Sequence, residues 1–473
     1  MKTKILSFVI WIFGMSFFSC SDWLDVKPSD RISEENAFSS IAGFKQALNG
    51  IYVELNKSDL YGSALSCEFV EILAQRYAIH LDNKGRYELS QYNYAGSYAR
   101  GRIQGIWQTA YNLIANTNLL IKNCDLHREV LPQDYYHICK GEALALRGLL
   151  HFDLFRLFGP VYAKDSLSMS IPYYKEFALE VNPSLPGTAY MDNVINDLLM
   201  AEEELQEDPI IQYGVKGDNK DIFFTDRNLR LNIYAVQGLL ARSYMYKGDK
   251  EKALEYANKV IDVQEKYFPW VNPQKIGSNV QNPDRMFSTE ILFSVQNFNR
   301  NELFTSLFDA QNVKVQYLLA PRADVVDYVF MSDKAEYRYK SFLSSSVELG
   351  GVNYAVFNKY QGRDSLYNQM IPIVRSSEMY MIASEASPSK RDGVKYLNVL
   401  RNHRGLNNIP WYQLDMELDK EWLKEMYGEG QLFFYYKRRM KTYMKSPYET
   451  YDNTPVKLTD YVLPLPDGET QFN

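Results

Sequence analysis

The chain has 473 residues, and its formal net charge at pH 7 is −6, from 52 lysines and arginines against 58 aspartates and glutamates. It contains no block of basic residues, so the sequence argues against a nucleic-acid-binding protein. A chain of this length usually forms about three domains, although a continuous helical scaffold is an exception to that rule.

The N-terminus has the features of a lipoprotein signal peptide. A basic start precedes an apolar stretch from Ile5 to Phe18, which is shorter than the about 20 residues that span a bilayer. Cys20 follows the small residue Ser19, as at a lipoprotein processing site. We expect residues 1–19 to be removed and Cys20 to carry acyl chains such as palmitate, because an unpaired thiol is a liability in an oxidising compartment. The alternative is ordinary cleavage that leaves Cys20 as a free thiol.

The next residues, 20–35, are polar, contain Pro28 and lack periodicity, so they indicate a tether. Apolar residues at helical spacing then predict a first helix from about Ser33 to Tyr52. The tyrosine-rich stretch from Gly85 to Arg100 predicts a loop or a short strand.

Long helices are predicted from Arg102 to Asn123, from Asp134 to Phe158 and from Thr188 to Glu204. The stretch from Leu229 to Val263 reads as two helices that meet at Lys247-Gly248-Asp249, and its small residues follow the tetratricopeptide pattern. One such pair cannot bury its own apolar face, so several pairs must stack.

The helix that ends at Gly159 and Pro160 is apolar on nearly all sides, which indicates that it is buried. Four charged residues lie inside it: Glu142, Arg147, Asp153 and Arg156. An unpaired buried charge is costly, so we interpret Glu142 and Arg147 as members of a structural ion network. A catalytic carboxylate is the alternative.

Residues 265–370 differ from the rest, because strand-like runs, asparagines and scattered aromatics replace the helical periodicity. We predict loops and short strands there, and a helical scaffold that resumes at Ile371. Arg375, Glu378 and Glu385 would then share one helix face, which leaves pairing among them open and adds them to the predicted ion network.

Catalytic and metal-binding motifs are missing from the sequence, including HExxH, GxSxG, the P-loop and GxGxxG. The five histidines show no metal-ligand spacing and there is no CxxC, so we expect no metal, no cofactor and no enzymatic activity. A glycosidase pair of carboxylates has no positive support. Cys124 and Cys139 either pair across a helical hairpin or remain two buried thiols.

Aromatic residues are abundant, with 37 tyrosines and six tryptophans. Such rings stack on the apolar faces of sugars and offer a polar edge, although rings on helix faces usually serve packing. The better ligand-binding candidates lie in predicted loops: Tyr92, Tyr94, Tyr98, Trp270 and Tyr317.

Several motifs along the chain resemble those of the SusD/RagB family. In order they are CSDWLD from Cys20, GEALALRGLLHFDLFRLFGP from Gly141, Arg-x-x-Glu from Arg375 with the later Ser-Glu-Ala, LKEMYGEGQLFFYYKRR from Leu423, and VLPLP from Val462. The resemblance runs from Cys20 to Pro466. The segment from Gln431 to Tyr436 replaces the usual arginine and aspartate, which marks a divergent branch.

This resemblance implies a mostly α fold: a tetratricopeptide-like helical-hairpin scaffold with loop and short-strand insertions. It implies five parts: a lipoprotein signal peptide (1–19), a tether (20–35), an N-terminal helical region (36–264), an insertion (265–370) and a C-terminal helical region (371–473). Family members that bind starch use an aromatic arc from the loop before the long N-terminal helix and from the central insertion, the regions of Tyr92 to Tyr98 and of Trp270 to Tyr317.

The function implied by the resemblance is that of a surface-exposed lipoprotein of the cell outer membrane. It would capture a glycan, or a peptide in some members, and deliver it to a SusC-like TonB-dependent transporter without doing chemistry. Two alternatives stay open at this point: a surface glycan-degrading enzyme, and a tetratricopeptide-type assembly adaptor.

Overall fold

The computed structural model describes residues 34–470, except residues 178–179, 219, 277–278, 332, 344 and 363–364. The predicted signal peptide, Cys20 and the tether up to residue 33 lie outside the described residues. Within the described ranges, no helix is both long enough and apolar enough to cross a bilayer.

Helices dominate the structure. The longer ones are α1 (Ile41–Leu55), α2 (Ser97–Leu126), α3 (Gln133–Phe158), α4 (Gly187–Glu204), α5 (Ile233–Lys247), α6 (Lys250–Ile261), α7 (Arg300–Leu307), α8 (Ser376–Ala386), α9 (Lys390–Asn402) and α10 (Leu414–Glu425). Shorter helices span Glu34–Ala37, Phe69–Leu73, Lys84–Ser90, Tyr162–Asp165, Pro209–Tyr213, Gln264–Tyr267, Ala323–Val329, Tyr337–Phe342, Leu432–Arg438 and Asp467–Thr470.

Short strands pair in four antiparallel two-stranded sheets within the described residues. They are β1 (Met169–Pro172) with β2 (Ser184–Pro186), β3 (Ile291–Gln296) with β6 (Met370–Arg375), β4 (Ser346–Leu349) with β5 (Val352–Ala355), and β7 (Tyr443–Lys445) with β8 (Asn453–Pro455).

The helices stack as successive hairpins. Helix α3 packs between α2 and α4, α5 packs on α4 and α6, and α6 packs on α8, which contacts α9 and α10. At the α5–α6 turn Gly248 adopts a φ of 91°, a left-handed conformation that glycine accepts without a steric cost. Asp249 then caps α6 by accepting a hydrogen bond from the Lys252 N–H at 3.0 Å. The predicted fold class is confirmed.

Helix α3 lies at the centre of this stack. From Gly141 to Phe158 almost every side chain is buried, as its nearly uniform apolar character predicts. Gly148 lets α4 approach closely, because a β-carbon there would lie 3.0 Å from Leu198 Cδ2. The same helix therefore carries both the core and the buried charges described below.

Two local predictions are wrong. The stretch from Gly85 to Arg100 forms a short helix and the first turn of α2, because Asn83 caps the short helix and Tyr92 reverses the chain at a φ of 59°. The first helix is split at Ser40, whose side chain accepts from the Gly43 N–H and starts α1.

The insertion also differs from expectation. Its described residues include the helices α7, Ala323–Val329 and Tyr337–Phe342 besides its strands. The helical scaffold does not resume at Ile371, because that residue lies in β6, which pairs with β3 and is buried along its whole length. A run of β-branched residues that is buried on both faces favours a strand over a helix.

The cysteines that the structure describes, Cys67, Cys124 and Cys139, are buried free thiols. Burial raises the pKa of Cys139 to about 12, so this thiol stays protonated at neutral pH and is a poor nucleophile.

A matched pair of glycine substitutions tests the packing. Gly430 has a φ of 71°, and a β-carbon there would lie 2.1 Å from the Leu65 carbonyl oxygen. We expect Gly430→Ala to lower the free energy of unfolding by about 2 kcal/mol or more, since backbone strain and a clash add. At Gly50, an exposed helix position with open space around it, alanine should raise stability by roughly 0.5–1 kcal/mol. Urea unfolding of both variants measures this, and equal effects would contradict the described turn.

Candidate ligand-binding site

Arginine–glutamate clusters are buried within the described core. In the C-terminal region Glu425 lies between Arg404 (2.6 Å) and Arg375 (2.7 Å), and Arg404 also reaches Glu290 at 2.5 Å. Burial opposes ionisation of Glu425, but the two arginines outweigh it and keep the pKa of this carboxyl well below its usual value. Other members of the cluster are Glu336, Arg338, Lys359, Arg401, Glu417, Glu421, Lys424 and Glu429.

The predicted pairing among Arg375, Glu378 and Glu385 is not the one that forms. Arg375 ends β6 rather than lying on a helix, and its side chain turns to Glu425 and Glu429. Glu378 instead accepts from Arg242 at 2.8 and 2.5 Å. Glu385 accepts from Arg438 at 2.8 and 2.6 Å, with Arg439 beside it. All three residues are thus paired with partners far along the chain, which helical spacing could not reveal.

The charges of α3 are also paired. Glu142 accepts from Arg227 at 2.7 Å and from Arg230 at 2.9 Å. Although burial opposes it, Arg230 and Arg227 lower the pKa of Glu142. Arg147 donates to both carboxylate oxygens of Asp197 at 2.7 Å. This bidentate geometry is typical of a structural pair.

Asp153, the other carboxylate among the four charged residues noted inside this helix, pairs with Arg156 and accepts from the Tyr61 hydroxyl at 2.6 Å. Arg156 in turn donates to Gln431 at 2.8 Å. Within the described residues, no group of three or more histidines, cysteines, aspartates or glutamates could hold a metal ion.

Tyr92 and Tyr94, which precede α2, and Tyr98 in its first turn are half-buried, and their hydroxyls are engaged. Tyr92 donates to the Leu73 carbonyl at 3.1 Å, Tyr94 donates to the Asp460 carbonyl, and Tyr98 donates to Glu68 at 3.0 Å. All three rings pack against the main core. These contacts give the rings a structural role, and ligand contact by them stays a prediction.

Trp270 lies against different elements. Its ring stacks on His403, with centroids 4.4 Å apart, and contacts Tyr380 at 5.1 Å. The Arg404 guanidinium lies 5.2 Å from the same ring. The structure therefore does not bring Trp270 together with the Tyr92–Tyr98 group, and its ligand contact also stays a prediction.

Tyr317 is the exception among the five candidates, because its side chain is 52% exposed. Its carbonyl accepts from Arg86 at 3.3 Å, and Arg86 is paired with Glu68, the partner of Tyr98. The short helix Lys84–Ser90 and the central insertion thus meet at Arg86.

Three segments that are distant in sequence build the surface beside Tyr317. The Ala78 N–H donates to the Ala320 carbonyl at 2.9 Å, and the Tyr448 hydroxyl bridges the backbone of Ile79 at 3.1 and 3.2 Å. A small apolar cluster underneath, formed by Ala78, Leu318, Ala320 and Tyr354, holds the segments together.

Two exposed rings in contact with each other lie on the insertion and on the β7–β8 hairpin, two of the segments that meet here. Tyr451 is 85% exposed and Tyr328 is 50% exposed, and their centroids lie 5.5 Å apart in an edge-to-face arrangement. Lys445 Nζ lies 5.3 Å from the Tyr328 ring. We call Tyr317, Tyr328 and Tyr451 the tyrosine surface. Sequence reasoning missed Tyr328, which lies in a short helix, and Tyr451, whose turn-rich context SPYETYDNTP was the available signal.

Polar groups border the rings. Arg322 approaches Glu449 at 3.4 Å and Asp324 at 3.2 Å, and the Thr450 hydroxyl donates to Asp324 at 2.7 Å. Both signs of charge and a hydroxyl therefore lie beside flat ring faces. Such a surface can bind an amphipathic ligand that has an apolar face and hydroxyl-rich edges.

Comparison with known proteins finds similarity to one family model and to curated relatives. Residues 22–211 match the family model SusD-like, described as starch-binding and associating with the outer membrane. The match covers less than half of the 473 residues, and over that part the chain is similar to the SusD-like family. Two curated SusD-like proteins of Formosa agariphila, P25 and P38, are 24% and 27% identical to it over 212 and 209 residues. Each match covers 43% of this chain and only 38% of the relative's own length.

Solved structures match the SusD-like fold over nearly the whole chain. A SusD-like carbohydrate binding protein from Bacteroides vulgatus has a TM-score of 0.68 at 20% identity, covering 92% of this chain and 97% of its own. Surface glycan-binding protein A from Bacteroides uniformis has a TM-score of 0.67 at 17% identity, covering 91% and 98%. At this identity the likeness shows the fold alone.

Removal of one arginine tests the buried cluster. Arg375→Ala leaves Glu425 and Glu429 short of a partner, so we expect the free energy of unfolding to fall by roughly 3–5 kcal/mol. The control is Lys390→Ala, which breaks an ion pair with Asp415 whose side chains are 53% and 65% exposed. That change should cost less than about 1 kcal/mol. Denaturant unfolding compares the two, and an unchanged Arg375→Ala midpoint would contradict the cluster's role.

Proposed function

We propose that this SusD-like protein is a glycan-binding protein that captures oligosaccharide on the tyrosine surface. The observation that supports it is the exposure of Tyr317, Tyr328 and Tyr451 where three sequence-distant segments meet. Exposing an aromatic ring to water has no benefit for folding, so the adjacent exposed rings of Tyr328 and Tyr451 indicate binding. The family description and the sugar-binding names of the structural neighbours favour a glycan as the ligand.

The chemistry of such a site is recognition without reaction. A tyrosine ring covers the apolar face of a sugar, and its hydroxyl and the neighbouring carboxylates accept hydrogen bonds from the sugar edge. The buried carboxylates described above are paired with arginines, which favours binding over hydrolysis. A peptide is the other ligand class in this proposal.

Delivery and anchoring complete the proposal. The protein would be held on the outer face of the outer membrane by acyl chains on Cys20. It would pass its ligand to a SusC-like TonB-dependent transporter. A single acyl chain gives only marginal membrane binding, whereas several chains give stable attachment. The family description, association with the outer membrane, supports this location.

Fractionation tests the anchor. Cys20→Ala should fold normally, because the N-terminal segment precedes the packed scaffold, and it should appear in the soluble fraction. Cells that lack the partner transporter are used, so that protein–protein contact cannot retain it. Ser21→Ala, which leaves the cysteine, is the control. Sedimentation of Cys20→Ala with outer membranes would rule out the lipid anchor.

Ring removal tests the site. A glycan and peptide array on the purified protein first identifies a ligand, and titration calorimetry then measures its affinity. Tyr328→Ala and Tyr451→Ala should each weaken binding by about tenfold, which corresponds to about 1.4 kcal/mol. Their melting temperatures should stay near that of the wild type, because the rings are exposed.

The matched control for ring removal is Tyr412→Ala, which removes a 67% exposed tyrosine outside the tyrosine surface. It should leave the affinity unchanged. Equal binding by all three variants would show that the ligand contacts another face.

A further inference from the structure

A groove of about 460 Å³ lies between α2 and the segment that follows β1. Its floor is formed by Trp107 and Tyr111 of α2 together with Pro172 and Tyr174. Pockets of this size commonly hold small organic ligands. The groove shares no lining residue with the tyrosine surface, so a ligand there would occupy a separate site.

The rings of the groove are held in fixed positions. Trp107 and Tyr111 lie with centroids 4.7 Å apart, and Tyr111 and Tyr174 meet edge to face at 5.5 Å. The Trp107 indole N–H donates to Glu469 at 3.1 Å, and the Tyr111 hydroxyl donates to the Pro172 carbonyl at 2.9 Å. The polar ends of these two rings are already bonded, and Trp107 is only 4% exposed. The ring surface that the groove offers to a ligand is therefore mainly that of the half-buried Tyr111 and Tyr174.

Amide side chains border the floor. Gln108 and Asn112 lie one turn apart on α2, on the face that carries Tyr111, and both are exposed. The small side chain of Ala115 keeps the groove open one turn further along. Each amide can both donate to and accept from a sugar hydroxyl. The Asn118 amide, by contrast, is already bonded to Arg147 and to the carbonyls of Tyr174 and Glu176.

The negative charge of the groove restricts which sugars can bind there. Its acidic lining residues, among those the structure describes, are Glu176, Glu180 and Glu469, and no lysine or arginine is among them. A uronic acid or a sulfated sugar would be repelled by these carboxylates. A neutral sugar ring meets no such penalty and fits aromatic faces flanked by amides.

We propose that this groove is a second carbohydrate-binding site, selective for neutral over acidic sugars. It goes beyond the proposed capture at the tyrosine surface and uses different residues. Two separate sites on one chain would hold an oligosaccharide more firmly than either alone when the ligand can reach both, since the second contact becomes intramolecular.

The test separates the two sites. The purified protein is studied by saturation-transfer NMR and calorimetry with neutral probes (maltoheptaose, xylohexaose and mannohexaose) and with one acidic probe, hexagalacturonate. In a Tyr328→Ala/Tyr451→Ala background we expect one or more neutral probes still to bind and the acidic probe not to bind. Adding Gln108→Ala/Asn112→Ala should weaken this residual binding by about tenfold or more, and Ala115→Trp, which fills the groove, should abolish it.

The matched control is Asn116→Ala, which removes an exposed asparagine of the same helix that does not line the groove. It should change neither binding nor melting temperature, and Gln108→Ala/Asn112→Ala should also melt like the wild type because both side chains are exposed.

Loss of all binding in the Tyr328→Ala/Tyr451→Ala background would overturn the second site and leave capture at the tyrosine surface standing. Binding that survives there but ignores every groove variant, or binding of the acidic probe alone, would also overturn it. Loss of binding through the groove variants alone would instead support the groove and count against the tyrosine surface. If no probe binds even to the wild type, both sites fail for these sugars.

Discussion

The structure depends on the arginines that neutralise Glu425 in the interior. This carboxylate receives Arg404 of the α9–α10 connection and Arg375 of β6, while Arg338 of the insertion reaches it at 2.9 Å. Three parts of the chain are therefore tied to one buried charge. A buried ion pair is weak evidence for net stability, because desolvation of both partners is costly. Its effect is to fix which segments meet, since any other arrangement would leave a charge unpaired inside the protein.

That constraint also positions the candidate site. Arg76 stacks on Tyr427, two residues beyond Glu425, and donates to the Leu423 carbonyl at 2.7 Å. The loop that continues from Arg76 carries Ala78 and Ile79, which join the insertion and the β7–β8 hairpin beneath the tyrosine surface. The packed helical scaffold thus holds three irregular segments in place, and those segments expose the rings. This division is common, because loops on a rigid scaffold carry binding residues while helices supply stability.

Periodicity predicted the helical scaffold well, because helical spacing is a local signal that the one-sided apolar faces of α4 and α6 express clearly. The predictions were wrong where contacts between distant parts of the chain determine the secondary structure or the ion-pair partner. Ile371 follows a pattern that suits a buried helix or a buried strand, and only its pairing with β3 settles the choice. Helical spacing suggested Glu378 as the ion-pair partner of Arg375, whereas in the structure Arg375 pairs with Glu425. Of the candidate ligand rings, Tyr317 lies on an exposed face, whereas Tyr451 was missed because nothing local distinguishes a binding tyrosine in a turn from an ordinary one.

Hydrogen exchange with and without a bound oligosaccharide tests the central claim most directly, since it needs no substitution and reports on the whole backbone. Ligand binding should slow exchange in residues 322–331 and 446–452, the segments that present Tyr328 and Tyr451. Slower exchange in residues 107–118 as well would match occupancy of the groove. Saturating ligand that leaves both ring-bearing segments unprotected would contradict capture on the tyrosine surface.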